Sequence, residues 1–183
     1  MILLWTDHTG KVVILLTLWR RDHPYSFIIE IRSPMAPFRP IQHIALADDD
    51  DDDCVLFKDV LGELLISPQL IWVKNGDELM QRLAENNRPL PDIIFLDINM
   101  PIKNGMECLK EIREDERLKD IPVIIFSTSA QELTVEQAYE LRANLFIRKP
   151  ETFQKLKDII RRILSIDWRN ALQVTKEDFL IHG

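Results

Sequence analysis

Residues 41 to 165 predict an α/β fold, a doubly wound (βα)5 parallel sheet, on three observations. Five short apolar runs recur along this stretch. They alternate with amphipathic segments of about 10 to 14 residues, the pattern of βαβ units. Polar, chemistry-bearing residues follow four of the five runs, where an open parallel sheet gathers its ligands.

The strand candidates are residues 43 to 47 (HIALA), 70 to 73 (LIWV), 93 to 96 (IIFL), 123 to 126 (VIIF) and 145 to 148 (LFIR). Between the first two, residues 55 to 66 place Phe57, Val60, Leu61, Leu64 and Leu65 on one helical face. Residues 77 to 86 do the same with Leu79, Met80 and Leu83, and residues 105 to 116 with Met106, Leu109 and Ile112. A helix over 134 to 142 is predicted to open on Thr134 and Gln137, spaced as a capping box. Residues 152 to 165 close the series with Phe153, Leu156, Ile159, Ile160 and Ile163.

Outside this core the pattern is less regular. Residues 1 to 40 read as an extension that need not fold, holding two strand-like runs (VVILLTLW and YSFIIEI) with no partner in view. The proline-rich PMAPFRP marks a boundary near residue 40, with Met35 as a candidate functional start. Residues 166 to 183 form a tail with Trp168, Phe179, Leu180 and Ile181, expected to pack back on the body or to serve as a docking surface. The tail is too short for an effector domain of the helix-turn-helix kind.

Composition bounds the function. The chain of 183 residues is 46% hydrophobic and 29% charged, as in a folded globular protein. Thirty acidic against 23 basic residues give a net charge of -7, and no basic patch stands out, so nucleic acid is not an expected partner. No apolar run approaches the roughly 20 residues that span a bilayer, and no secretory signal is evident, so the expected location is the cytoplasm, away from the membrane. Cys54 and Cys108 lack metal-ligand spacing and read as buried small hydrophobes in a reducing compartment.

The six aspartates from Asp48 to Asp53 organise the chemistry. Such a run repels itself unless it is solvated, aimed at a cation, or set at the positive end of a helix. Asp48 and Asp49 leave the first strand, Asp97 the third, Ser127 and Thr128 the fourth, and Lys149 the fifth; Lys74 and Asn75, after the second, carry no evident role. Asp50 to Asp53 fall in the turn and first helical turn, where acids are tolerated. A solvated acidic turn explains the run alone. It does not explain the other polar exits.

Carboxylates that crowd together need a cation or protons, and an all-oxygen set of two or three with several waters suits Mg²⁺. Lys149 and Ser127 offer a point charge and a neutral donor to a phosphoryl group. Asp97 is the candidate nucleophile, since carboxylates form acyl phosphates.

The strings LADDD, FLDINMPIKNG, VIIFSTS and LFIRKP, in this order, resemble the receiver domain of two-component response regulators over roughly residues 41 to 165. The resemblance implies a flavodoxin-like sheet of strand order 2-1-3-4-5. It implies that Asp97 takes a phosphoryl group from a phosphohistidine of a sensor histidine kinase or a histidine phosphotransfer protein. Asp48, Asp49, Asp97 and the backbone carbonyl of Asn99 would hold the Mg²⁺. Ser127, Thr128 and Lys149 would face the phosphoryl group, and Phe146 would be the switch aromatic. Pro101 and Gly105 match the loop after the phosphorylation site, and Lys149-Pro150 the position where the family often has a cis peptide. The acid-rich first helix looks most like the small single-domain receivers, so the output would pass to another, unknown protein through the face of the fourth helix, fifth strand and fifth helix. Ser127 departs from the commoner threonine, and Thr128 stands where many receivers have alanine or glycine.

Two rivals share these residues. Haloacid-dehalogenase-type phosphatases join a strand-end aspartate to Mg²⁺, a hydroxyl and a lysine, but carry a second aspartate two residues on, where this chain has Asn99. A phosphorylation-independent receiver-like interaction module predicts no acyl phosphate. A signalling protein rather than an enzyme is the expectation.

Overall fold

The computed structural model describes residues 2–6, 12–20, 23–31, 40–64, 68–168 and 174–182. The chain divides into two compact units, Met1–Arg39 and Pro40–Gly183. Leu65 and Ile66 of the expected first helix, Met35 and most of the proline-rich stretch lie outside the described residues.

In the first unit β1 (Ile2–Thr6), β2 (Val12–Arg20) and β3 (His23–Ile31) form an antiparallel sheet of that order. The two strand-like runs that lack a partner in the sequence pattern pair with each other, from Val12 opposite Ile31 to Arg20 opposite His23. β1 completes the sheet on the other side of β2, with Leu4 opposite Ile14.

The second unit alternates strands and helices: β4 (His43–Ala47), α1 (Asp51–Glu63), β5 (Gln69–Val73), α2 (Gly76–Ala84), β6 (Ile93–Leu96), α3 (Gly105–Glu114), β7 (Val123–Ser127), α4 (Glu132–Glu140), β8 (Leu145–Arg148) and α5 (Phe153–Leu164). A short α6 (Lys176–Phe179) and β9 (Leu180–Ile181) follow. The sheet is parallel, in the order β5-β4-β6-β7-β8-β9. The first five strands have the expected order; the sixth comes from the tail.

Alternation along the strands builds two cores. Ala45, Ala47, Ile94, Leu96, Ile125 and Phe146 face one side, with Leu79 and Leu83 of α2, Leu109 and Ile112 of α3 and Ala138 of α4. Ile44, Leu46, Phe95, Phe126 and Ile147 face the other, with Phe57 and Val60 of α1 and Leu156, Ile160 and Ile163 of α5. Because side chains point to opposite faces at successive residues, a strand apolar at every position must be covered twice. Phe57, Phe95 and Phe126 meet edge to face in the second core, with centroids 4.9 to 6.3 Å apart.

The helix starts are built locally. Asp50 caps α1 by accepting from the Asp52 and Asp53 amides, Asn104 and Glu107 form a capping box on α3, and Thr152 caps α5. α4 departs from expectation. It opens at Glu132 with Gln131 at the cap, leaving Thr134 inside the first turn rather than at its start. The Val135 amide closes that turn on the Gln131 carbonyl at 3.0 Å, and Glu132 sits at the positive helix end.

The described end of the tail packs on the sheet. β9 runs parallel to β8, with Leu180 opposite Phe146 and Ile181 opposite Ile147. Phe179 is fully buried and meets Tyr139 of α4 and Phe146 edge to face, at 5.1 and 6.4 Å. Part of the face expected to meet an output protein is therefore lined by the chain's own C-terminal segment.

Candidate functional site

The site forms at the carboxyl ends of β4, β6, β7 and β8, where the order of connections reverses between β4 and β6. Sheet pairing fixes the tips: the Asp48 amide donates to the Val73 carbonyl at 3.0 Å and the Asp97 amide to the Ala47 carbonyl at 2.9 Å. The two acids are thus held by adjacent backbones. Carboxylate oxygens of Asp48, Asp49 and Asp97 lie within 4.8 Å of one another.

The cluster is half sealed. Asp48 and Ser127 are 0% exposed and Asp97 6%, while Asp49 is exposed. Asp48 Oδ2, Asp97 Oδ1 and Ser127 Oγ have no hydrogen-bond partner among the described residues. Buried polar atoms without partners are uncommon and expensive, so they mark where a ligand completes the coordination. Three carboxylates presenting only oxygen fit a hard divalent cation.

Lys149 enters from the end of β8. Its Nζ lies 2.7 Å from Asp48 Oδ2 and 2.7 Å from Asp53 Oδ2, and its side chain is only 8% exposed. Burial disfavours the ammonium, but these two carboxylates more than offset it and hold its pKa above the usual lysine value. Burial pushes Asp48 up to about 6, against the pull of Lys149. Burial also raises Asp97, opposed by the charge of Lys149.

The raised Asp48 value has a measurable sign. The folded chain binds this proton more tightly than the unfolded chain, so the associated stability is full below pH 3.8 and is lost as pH rises through about 6. Without divalent cation, Asp48→Asn should remove that pH dependence and be more stable than the native chain at pH 7 by about 1–3 kcal/mol. Urea midpoints at pH 5 and pH 7 check this; an equal difference at both would refute it.

The remaining expected residues have distinct places. Asn99 is exposed, and its residue lines a cavity of about 300 Å³ with Ile98, Ser127, Ser129, Gln131 and Thr134. Thr128 is exposed and does not line that cavity. Phe146 is fully buried against Phe179. Gly105 donates to the Ile98 carbonyl at 3.0 Å, and Pro101 is exposed, its carbonyl accepting from the Lys103 amide. The Lys149-Pro150 peptide is trans, the intrinsically favoured isomer.

Several contacts escape the sequence pattern. Asp53 is a direct partner of Lys149, and nothing in the run of six aspartates singles it out. Trp72 Nε1 donates to the Asp48 carbonyl at 3.0 Å. Lys74 pairs with Asp51 at 2.7 Å and lies over the Trp72 ring, and Asn75 caps α2. The second strand exit thus braces the first. Cys54 and Cys108 are buried free thiols, pushed up to about 12 by burial, which makes them poor nucleophiles.

A parallel five-strand core with three acids, a hydroxyl and a lysine at its switch point defines a receiver. Residues 44–161 match the response regulator receiver domain, and the chain belongs to that family, whose members act in two-component signalling. It is 35% identical over 132 residues to the response regulator Rcp1 of Synechocystis sp., covering 70% of this chain and 88% of that protein. The crystal structure of the Mn²⁺-bound form of Rcp1 superposes with a TM-score of 0.64 at 32% identity, over 73% of this chain and 99% of that one. The phosphorylated cyanobacterial phytochrome response regulator RcpA gives 0.65 at 32% identity, over 74% and 99%. A protein-glutamate methylesterase/protein-glutamine glutaminase of Clostridium acetobutylicum is 40% identical over 124 residues, covering 61% of this chain but only 34% of that protein. Among the described residues no helix is long and apolar enough to cross a membrane.

Proposed function

We propose that this chain is a phosphoacceptor that takes a phosphoryl group on Asp97 from a phosphohistidine of a sensor histidine kinase or a histidine phosphotransfer protein, and relays the signal to another protein in the cytoplasm. The observation that carries this reading is the Asp48, Asp49 and Asp97 cluster, with Asp97 Oδ1 and Ser127 Oγ buried beside it and unpartnered among the described residues. Similarity to the Mn²⁺-bound form of Rcp1 and to phosphorylated RcpA supports it.

In this reading Asp48, Asp49, Asp97 and the Asn99 carbonyl would hold Mg²⁺. When bound, the ion neutralises charge between the carboxylates and the phosphoryl oxygens. An oxygen of Asp97 forms the new bond to phosphorus as the bond to the donor imidazole nitrogen breaks, and that nitrogen keeps the electron pair. The Ser127 hydroxyl donates to one phosphoryl oxygen, and Lys149 offers its ammonium to another. Phe146 and Ser127, on paired strands, then settle into a second arrangement that alters the surface near α4 and β8.

Incubation with Mg²⁺ and acetyl phosphate or phosphoramidate should add one phosphoryl group by intact mass. The adduct should be absent in Asp97→Asn and lost on mild alkaline treatment, as an acyl phosphate requires. No adduct on the native chain, or an equal one on Asp97→Asn, would remove the reading. Catalytic turnover of a small phosphate ester, lost in Asp97→Asn, would instead point to a phosphatase.

A further inference from the structure

The ammonium of Lys149 does not rest on the phosphoacceptor. Among the described residues its two ion-pair partners are Asp48 and Asp53, each at 2.7 Å, and no oxygen of Asp97 lies within 4.0 Å of it. Asp53 sits in the first turn of α1, its side chain 32% exposed, and its carboxylate accepts a hydrogen bond from Lys149 Nζ. An ammonium has three protons to donate. One is donated to Asp53, and the ion pair with Asp48 draws the charge toward a second acid that is not the phosphoacceptor.

We propose that Asp53 is a positioning residue that holds Lys149 in a resting pose and competes with the phosphoryl group for its ammonium. The inference rests on the phosphoacceptor reading and adds a competitor to it. A cation held by Asp48 draws that carboxylate away from Lys149, leaving Asp53 as the remaining anchor. A phosphoryl group on Asp97 must then pull Nζ off Asp53, and the cost of that exchange lowers occupancy of the loaded state. Removing the Asp53 charge frees the lysine and favours that state.

The test uses beryllium fluoride with saturating Mg²⁺ as a phosphoryl mimic, read by tryptophan fluorescence because Trp72 touches the Asp48 carbonyl. Asp53→Asn should bind the mimic roughly three- to tenfold more tightly than the native chain, and Asp53→Glu, which restores the carboxylate, should return toward the native affinity. Asp52→Asn removes a charge from the same turn at a residue with no ion pair among the described residues, and should change affinity less than about twofold. In a Lys149→Gln background Asp53→Asn should have no effect. Unchanged or weaker binding in Asp53→Asn, or equal tightening in the Lys149→Gln background, would overturn the proposal while leaving the phosphoacceptor reading intact. A native chain that fails to bind the mimic, or binds it equally well with Asp97→Asn, would overturn both.

Discussion

Replacing Phe179 with alanine is expected to lower the stability of the Pro40–Gly183 unit by about 3–5 kcal/mol, the range for truncating a fully buried aromatic side chain. The ring is 0% exposed and packs edge to face on Tyr139 and Phe146. The other described anchors are smaller, with Val174, Leu180 and Ile181 only partly buried against the two cores. β9 contributes two residues of pairing, and the Lys176 to Glu136 ion pair is solvent-exposed and so worth little. A four-residue helix has no stability of its own. Urea denaturation gives the size of the loss, and amide exchange at Leu180 and Ile181 gives its location. A loss under about 1 kcal/mol with both amides still protected would show that something other than this ring anchors the segment.

The second large effect falls on Gly105. A β-carbon there would lie 2.1 Å from the Asp97 carbonyl oxygen, 2.9 Å from its carbon and 3.0 Å from Ile98 Cα. These are backbone atoms at a strand tip, and they cannot rotate away as a side chain would. Gly105→Ala should therefore cost at least about 1–3 kcal/mol as an overpacked substitution. It should also displace Asp97, and phosphorylation should fall more than tenfold even where the variant remains folded. Gly62 provides the contrast, because a β-carbon there meets nothing within 4 Å. Gly62→Ala in α1 should leave phosphorylation unchanged and stabilise by about 0.5–1 kcal/mol. Similar losses at both positions would contradict the close-approach argument.

The legible parts of this chain were those fixed by local pattern. Continuous apolar runs such as IIFL and VIIF announced strands covered on both faces, and the residues after four of the five runs named the acids, hydroxyl and lysine at these strand ends. The illegible parts depended on distant partners. The pairing of β2 with β3 had no glycine or asparagine turn signal between the two runs to announce it. Leu180 and Ile181 become a strand only because Phe146 and Ile147 offer them an edge, and nothing within the tail encodes that choice. The start of α4 was missed for the opposite reason: Thr134 carries a strong local capping signal, and the chain closes the first turn two residues earlier. Asp53 was hidden among like neighbours, since a run of identical residues cannot say which one turns inward.

The addition of β9 changes what the rim of the sheet can recruit. Main-chain donors and acceptors along the outer margin of Phe146 and Ile147 are engaged by Leu180 and Ile181, so no foreign peptide can append itself there as an extra strand without first peeling the native one away. A visitor extending the sheet at this end would have to pair with β9, its outermost strand among the described residues.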